Sequence, residues 1–271
     1  MANCITCGRQ LVPSSYGERT EVCPTCRASA IDATTGHSSA PAPRAAARKR
    51  PPITTLIIGI NVAVYVAMVL FRVSPIQPSD HDLLKWGADW GPLTLHGELW
   101  RTLTSNYVHD GIIHIGLNMW CLWNLGALAE QIFDRWTYFL TYTACGLAGS
   151  MAGLWIHPMG KSVGASGAIF GIAGALIAAL YLGRLPVHPA ALRSILKSLV
   201  TFAAFNLFFG AAIPFIDNSA HIGGFLAGLA IGAALAQHLM APPDTRKSWR
   251  FAVFLVTAVF LATGFYYLQR G

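Results

Sequence analysis

Seven stretches of the chain are apolar over close to the length that a helix needs to cross a bilayer. They lie at residues 53–71, 112–131, 137–157, 165–183, 198–215, 220–240 and 251–268. A helix rises about 1.5 Å per residue, so roughly 20 apolar residues cross a hydrocarbon core about 30 Å thick. The pattern therefore predicts an all-α polytopic membrane protein with seven spans.

Two stretches depart from this apolar pattern. Between the first and second spans, the sequence DLLKWGADWGPLTLHGELWRTL mixes charged residues with tryptophans. It is too long for a plain loop, and we expect it to lie in the membrane interface. Residues 37–52 are rich in Pro and Ala and end in a basic cluster, which predicts a flexible linker beside the membrane. The predicted domains are a cysteine-containing unit at 1–36, this linker, a six-span core at 53–240, and a cytoplasmic loop with the seventh helix at 241–271.

The composition supports the membrane class. Hydrophobic residues make up 54% of the chain and charged residues 11%, whereas a soluble domain carries about 25% charged residues. The net charge of +7 would also suit a nucleic-acid-binding protein. However, the Lys and Arg residues lie between apolar spans, where they orient the chain and contact anionic lipid. We therefore expect membrane lipid, and no nucleic acid, among the partners.

The basic residues also predict an orientation, because cytoplasmic loops carry an excess of Lys and Arg. With a cytoplasmic N-terminus, eleven such residues beyond the cysteine unit fall inside: Arg44, Arg48, Lys49, Arg50, Arg135, Arg184, Arg193, Lys197, Arg246, Lys247 and Arg250. Five fall outside: Arg72, Lys85, Arg101, Lys161 and Arg270. This favours a multi-pass protein of the plasma (inner) membrane, with the N-terminus in the cytoplasm and the C-terminus outside.

Four cysteines near the N-terminus have the spacing of a zinc ribbon. Cys4-x2-Cys7 and Cys23-x2-Cys26 are separated by 15 residues, and two such turns complete a tetrahedral S4 shell around zinc. About 30 residues cannot build an adequate core unaided, so a structural Zn²⁺ would explain how this unit folds. The alternative is two disulfides, which a reducing cytoplasm disfavours. We hypothesise that the unit regulates the protein or binds a cytoplasmic partner.

Three polar groups interrupt otherwise apolar spans, where such residues are candidates for function. His109, His114 and Asn118 lie at the start of the second span, and the segment 164–167 (GASG) opens the fourth. His221 opens the sixth. Spans two, four and six run in the same direction, so His114, Ser166 and His221 are predicted to lie at a similar depth near the outer face.

This arrangement predicts a serine nucleophile with a histidine base. A serine hydroxyl becomes a strong nucleophile when a neutral imidazole takes its proton, so we assign Ser166 and His221 as catalytic. Asn118, His114, Gly164 and His109 are assigned to the stabilisation of the oxyanion and the substrate. Close approach of spans four and six is allowed by small residues four apart: Gly167, Gly171, Gly224 and Gly228.

Each of these residues has a structural alternative. Ser166 suits helix packing, His221 a hydrogen bond in the interface, and Asn118 a contact between helices. Two other function classes also remain open. One is a catalytically silent binder or chaperone of membrane proteins, and the other is a transporter with a metal-sensing tail. A transporter predicts ionisable residues throughout the spans, whereas here they stop in the outer half.

At these residues the chain resembles the rhomboid family of intramembrane serine proteases over roughly residues 53–240. The matching motifs are Trp100-Arg101, His109/His114/Asn118, Glu130, the segment 164–167, and Ala220-His221 followed by Gly224 and Gly228. The resemblance implies a six-helix core with a water-filled cavity and a Ser–His dyad that needs no cofactor. It also implies single-span transmembrane proteins as substrates, cut near their outer ends. The cysteine unit and the seventh span depart from the minimal bacterial core, and neither removes a catalytic residue.

Overall fold

The computed structural model describes residues 3–8, 21–23, 25–26, 51–212 and 218–270. The chain divides into two compact units, Met1–Lys49 and Arg50–Gly271. Except for its last two residues, the predicted linker at 37–52 lies outside the described residues. Its boundaries therefore stay predictions.

The second unit is a helical bundle with one small sheet. Its helices are α1 (Pro52–Leu70), α2 (Asp80–Lys85), α3 (Gly91–Thr94), α4 (Arg101–Thr104), α5 (Gly111–Ile132), α6 (Arg135–Ile156), α7 (Ser166–Leu182), α8 (Pro189–Ala212), α9 (Asn218–Ala236) and α10 (Pro243–Leu268). Its strands are β1 (Asp89–Trp90) and β2 (Lys161–Ser162). Each predicted span corresponds to one helix, which confirms the polytopic all-α fold class.

The central helix of the bundle is α7. Six of the helices, α1, α5, α6, α8, α9 and α10, are long and apolar enough to cross a membrane. The seventh, α7, has 17 residues and is buried on nearly all sides. A helix that is apolar on all sides is typical of a position surrounded by other helices or by lipid. The packing therefore leaves the first residue of α7, Ser166, half-buried at the start of a buried helix.

Two spans begin earlier than the apolar runs predicted. α8 starts at Pro189 rather than at 198, and α10 starts at Pro243 rather than at 251. In both cases proline occupies the first turn, where its missing N–H leaves no hydrogen bond unmade. The added turns carry charged residues, such as Arg193 and Lys197 in α8. An apolar run therefore marks where a helix is hydrophobic and not where it begins.

The segment between α1 and α5 is folded. β1 pairs with β2 in antiparallel register, Asp89 opposite Ser162 and Trp90 opposite Lys161. Arg101 is buried and donates to the carbonyls of Leu84 at 2.6 Å and Ala88 at 3.1 Å. The Arg101 side chain thus links two parts of this segment by buried hydrogen bonds, whereas its neighbour Trp100 is exposed.

A carboxylate joins α5 to α1. The backbone N–H and the hydroxyl of Thr54 both donate to Glu130 Oε1, at 2.7 and 2.8 Å. The first amides of a helix have no partner within it and carry partial positive charge, so a carboxylate stabilises them. Glu130 thus has a structural role that explains its place in the motif set.

The contact between α7 and α9 depends on glycine. A Cβ on Gly224 would overlap the Gly167 carbonyl, and one on Gly228 would overlap the Gly171 backbone. Small residues at this spacing let two backbones approach closely in a membrane. The predicted small-residue interface is confirmed, and it brings the starts of α7 and α9 together.

We expect Gly228→Ala to lower stability, because the new methyl group must push α7 and α9 apart. Overpacking of this kind costs about 1–3 kcal/mol. The measurement is thermal unfolding in detergent. Gly59→Ala is the matched control, since no atom lies within 4 Å of a Cβ there and alanine favours a helix. Equal melting temperatures for the two variants would contradict the close-approach argument.

The first turns of the seventh span, α10, are bonded to the bundle. Arg250 pairs with Asp134 at 2.7 Å, and Trp249 Nε1 donates to the Ala234 carbonyl at 2.7 Å. Burial would raise the pKa of Asp134, but hydrogen bonds from Thr137 and the charge of Arg250 outweigh this and lower it. Asp134 therefore stays ionised and joins the start of α6 to α10.

Candidate active site

The first residue of α7 meets the first turn of α9. Ser166 Oγ lies 2.8 Å from His221 Nε2, although the two residues are 55 positions apart. The hydrogen bond is within the range in which an imidazole accepts a hydroxyl proton. The structure thus brings together the two residues that the sequence assigned as nucleophile and base.

Gly164 shapes the turn that presents Ser166. Its φ is +106°, a conformation that residues with a side chain rarely adopt. Its N–H donates to the Ser105 carbonyl at 2.8 Å. A Cβ on Gly164 would also lie 2.7 Å from Nε2 of His114, so glycine is required both by backbone conformation and by space.

His114 directs an N–H group toward the same turn. The backbone N–H of Asp110 donates to His114 Nδ1 at 3.3 Å. Since Nδ1 accepts, the ring proton lies on Nε2, the atom that faces Gly164. A carbonyl oxygen held between His114 and Ser166 would therefore meet a hydrogen-bond donor.

Asn118 lies one turn after His114 on α5 and is buried. Its Nδ2 donates to the His114 carbonyl at 3.0 Å and would lie 3.7 Å from a Cβ on Gly164. An amide nitrogen carries two hydrogens, so one remains available to a ligand beside Gly164. The position agrees with the predicted oxyanion role.

His109 is buried and packs against His114. The two rings meet edge to face, with centroids 5.2 Å apart. Burial, with a smaller contribution from His114, lowers the pKa of His109 to about 3, so this ring stays neutral. His109 Nδ1 lies 3.2 Å from the Tyr107 carbonyl, and Nε2 has no hydrogen-bond partner among the described residues. His109 therefore contacts His114, and its assignment to the stabilisation of the oxyanion or the substrate stays a prediction.

Two residues of this site were missed from the sequence. Phe170 stacks on the His221 ring, with centroids 4.4 Å apart and an interplanar angle of 12°. Asn218 Oδ1 lies 3.1 Å from His221 Nδ1. Helical spacing could have indicated both, because Phe170 follows Ser166 by four residues and Asn218 precedes His221 by three.

The N-terminal unit holds a separate candidate metal site. One ligand atom from each of Cys4, Cys7, Cys23 and Cys26 lies within 4.8 Å of the others. The backbone N–H of Cys23 donates to Cys4 Sγ at 3.2 Å and lowers the pKa of Cys4 to about 6. Gly8 takes a φ of +73° directly after Cys7. Four sulfurs at this separation match the donor set that tetrahedral zinc prefers.

Comparison with known proteins agrees with this geometry. Residues 96–238 match the rhomboid domain family. The chain is 35% identical over 221 residues to rhomboid protease GluP of Bacillus subtilis (strain 168), an alignment that covers 80% of this chain. It is 36% identical over 176 residues to RHOMBOID-like protein 6, mitochondrial, of Arabidopsis thaliana, covering 65% of this chain. It is 27% identical over 177 residues to Rhomboid-like protease 3 of Toxoplasma gondii, also covering 65%.

The matched proteins extend beyond the shared region. The alignments span 40% of the Bacillus protein, 55% of the Arabidopsis protein and 67% of the Toxoplasma protein. Each alignment is too long to fit outside residues 53–240, so each includes part of the membrane core.

Proposed function

Since this chain belongs to the rhomboid family, we propose that it is an intramembrane serine endopeptidase with a Ser166–His221 dyad. The observation that carries the proposal is the 2.8 Å contact between Ser166 Oγ and His221 Nε2. Nucleophile and base at this distance are the geometric requirement for covalent catalysis by serine.

In the first half of the reaction, Ser166 Oγ attacks the scissile carbonyl carbon while His221 Nε2 takes the hydroxyl proton. Negative charge then develops on the carbonyl oxygen. His114 Nε2–H, Asn118 Nδ2–H and the backbone N–H of Ser166 are the proposed donors to it. Collapse of the tetrahedral species breaks the C–N bond, and His221 returns its proton to the departing amine.

In the second half, water attacks the ester that now joins Ser166 to the substrate. His221 takes a proton from that water, and the carbonyl oxygen again meets the same donors. Collapse releases the carboxylic acid and returns the proton to Ser166. No metal or organic cofactor enters either half.

The proposed substrates are single-span transmembrane proteins, cut near the outer ends of their helices. The proposed location is the plasma (inner) membrane, with a cytoplasmic N-terminus. These proposals rest on the family and on the distribution of Lys and Arg along the sequence.

Two assays test the proposed activity. Purified protein is incubated with a panel of single-span substrates, and cleavage sites are read by mass spectrometry. A serine-directed fluorophosphonate should label Ser166 and no other serine. Binding of substrates without cleavage, and without labelling, would favour the catalytically silent binder instead.

We also propose that Cys4, Cys7, Cys23 and Cys26 hold one structural Zn²⁺. The four sulfurs lie within 4.8 Å of one another, and bound zinc would supply folding free energy to a unit too small for a core. The unit is proposed to regulate the protein or to bind a cytoplasmic partner.

Metal analysis of reduced protein should find one zinc per chain. Cys4→Ser should lose it, because three thiolates bind zinc more weakly than four and the site couples to folding. Cys121→Ser is the matched control, since Cys121 belongs to α5 and is not one of the four cysteines of the cluster. Reduced protein without zinc, or loss of zinc in both variants, would refute the site.

A further inference from the structure

Asn218 contacts His221 through the ring nitrogen that does not face Ser166. It lies almost one turn before His221 on α9, with Oδ1 3.1 Å from His221 Nδ1. Nδ2 of the same amide donates to the carbonyl of Leu207 on α8, at 2.9 Å. The amide is therefore held at both ends, by the imidazole and by a neighbouring helix.

The chemistry of these partners gives each hydrogen bond its direction. A backbone carbonyl only accepts, so the end of the Asn218 amide that faces Leu207 must be the NH₂ group. Oδ1 then faces His221 and accepts, which requires the ring proton to lie on Nδ1. A neutral imidazole has one N–H, so Nε2 presents a lone pair to Ser166.

We propose that Asn218 is a positioning residue that selects the ring orientation and tautomer of His221 needed to accept the Ser166 proton. The inference rests on the proposed serine protease activity and extends it. An imidazole without this acceptor also populates the tautomer with the proton on Nε2, which cannot serve as the base. Being neutral, Asn218 orients the ring without the charge that an acid would add.

The orientation of Asn218 depends in turn on α8. A Cβ on Gly210 would overlap the Asn218 amide, so glycine leaves the space that the amide occupies. Only 17% of the most apolar stretch of α8 is buried within the protein, against 50% for α9. The residue that orients the base is thus held by the more exposed of its two helices.

Nitrogen-15 NMR of histidine-labelled protein reads the tautomer without any need for turnover. His221→Gln identifies the His221 signals. In the unaltered protein, Nδ1 of His221 should be protonated and Nε2 should not. In Asn218→Ala, signal from the Nε2–H tautomer should appear. Gly210→Ala should change the tautomer in the same direction, because it displaces the amide.

Kinetics test the consequence for catalysis. Asn218→Ala should lower kcat by about 10- to 100-fold, the range typical of a residue that orients another, with KM within about twofold. Asn218→Asp keeps an acceptor for Nδ1–H and should recover part of that loss. Its activity should also need a higher pH, because a carboxylate favours the imidazolium form. Asn124→Ala is the control, since Asn124 is exposed on α5 and donates only to its own helix, at 2.7 Å.

A role limited to joining α9 with α8 gives a different pattern. Both Asn218 variants lose the bond to Leu207, so both would melt earlier and be equally slow, with an unchanged tautomer and pH profile. That pattern would overturn the inference. If the unaltered protein neither cleaves the substrates nor reacts with the fluorophosphonate, the proposed activity fails. The NMR measurement of the His221 tautomer still decides this inference. A proton on His221 Nε2 in the unaltered protein would overturn it.

Discussion

Ser166→Ala and His221→Ala are each expected to reduce cleavage by about 10⁴-fold or more. The hydroxyl and the imidazole share one hydrogen bond of 2.8 Å, and neither group has a substitute in the proposed reaction. Because the two act as a unit, the double variant should be no slower than either single variant. Rates are measured with a transmembrane substrate in detergent, after thermal unfolding has shown that each variant is folded.

The matched control for this experiment is Ser198→Ala. Ser198 is exposed on α8 and donates only to the carbonyl of Ser194, one turn earlier, at 3.0 Å. It should cleave at the normal rate and react normally with a fluorophosphonate. Substantial proteolysis by folded Ser166→Ala protein would exclude the serine mechanism. A double variant much slower than both singles would argue against a shared step.

Asn118→Ala is expected to lower kcat by about 10² to 10³, which corresponds to roughly 3–4 kcal/mol of transition-state stabilisation. The negative charge on the carbonyl oxygen forms only as the bond is attacked, so KM should change little. His114 and the Ser166 amide remain as donors, so weak activity should persist. The variant should therefore still react with a fluorophosphonate, only more slowly.

Asn124→Ala again supplies the comparison. Both asparagines lie on α5, and each donates to the carbonyl four residues earlier, but only Asn118 approaches Gly164. If Asn118 only packs the helices, its variant should melt earlier and turn over at the normal rate once folded. Equal kcat values for the two variants would rule out the oxyanion role.

The membrane class and the number of spans follow from the sequence, because a span requires a long apolar run whatever surrounds it. The same holds for the closeness of α7 and α9. Four glycines stand at helical spacing on these two helices: Gly167, Gly171, Gly224 and Gly228. Because they have no side chains, the two backbones can approach closely there. The candidate dyad could also be predicted from the sequence, because Ser166 and His221 are polar residues within apolar spans, where polar residues are rare.

The starts of α8 and α10 were predicted nine and eight residues too late. Hydropathy reports the lipid boundary, and helical hydrogen bonding continues beyond it. The small sheet had no signal either, since β1 and β2 have two residues each and are 70 residues apart. Such pairing depends on the fold around it. Local periodicity therefore says little about the segments between spans.

The sequence alone singled out the candidate nucleophile, base and amide, since each is recognised by its type and by its place in an apolar run. Only the tertiary structure decided how those residues are oriented. Asn218 faces His221 Nδ1 with Oδ1 because a carbonyl of α8 accepts from the other end of its amide. Phe170 stacks on the imidazole because α7 and α9 approach closely. Helical spacing places Phe170 on the face of Ser166 and Asn218 on the face of His221. Their orientation depends on contacts between helices distant in sequence, which spacing does not encode.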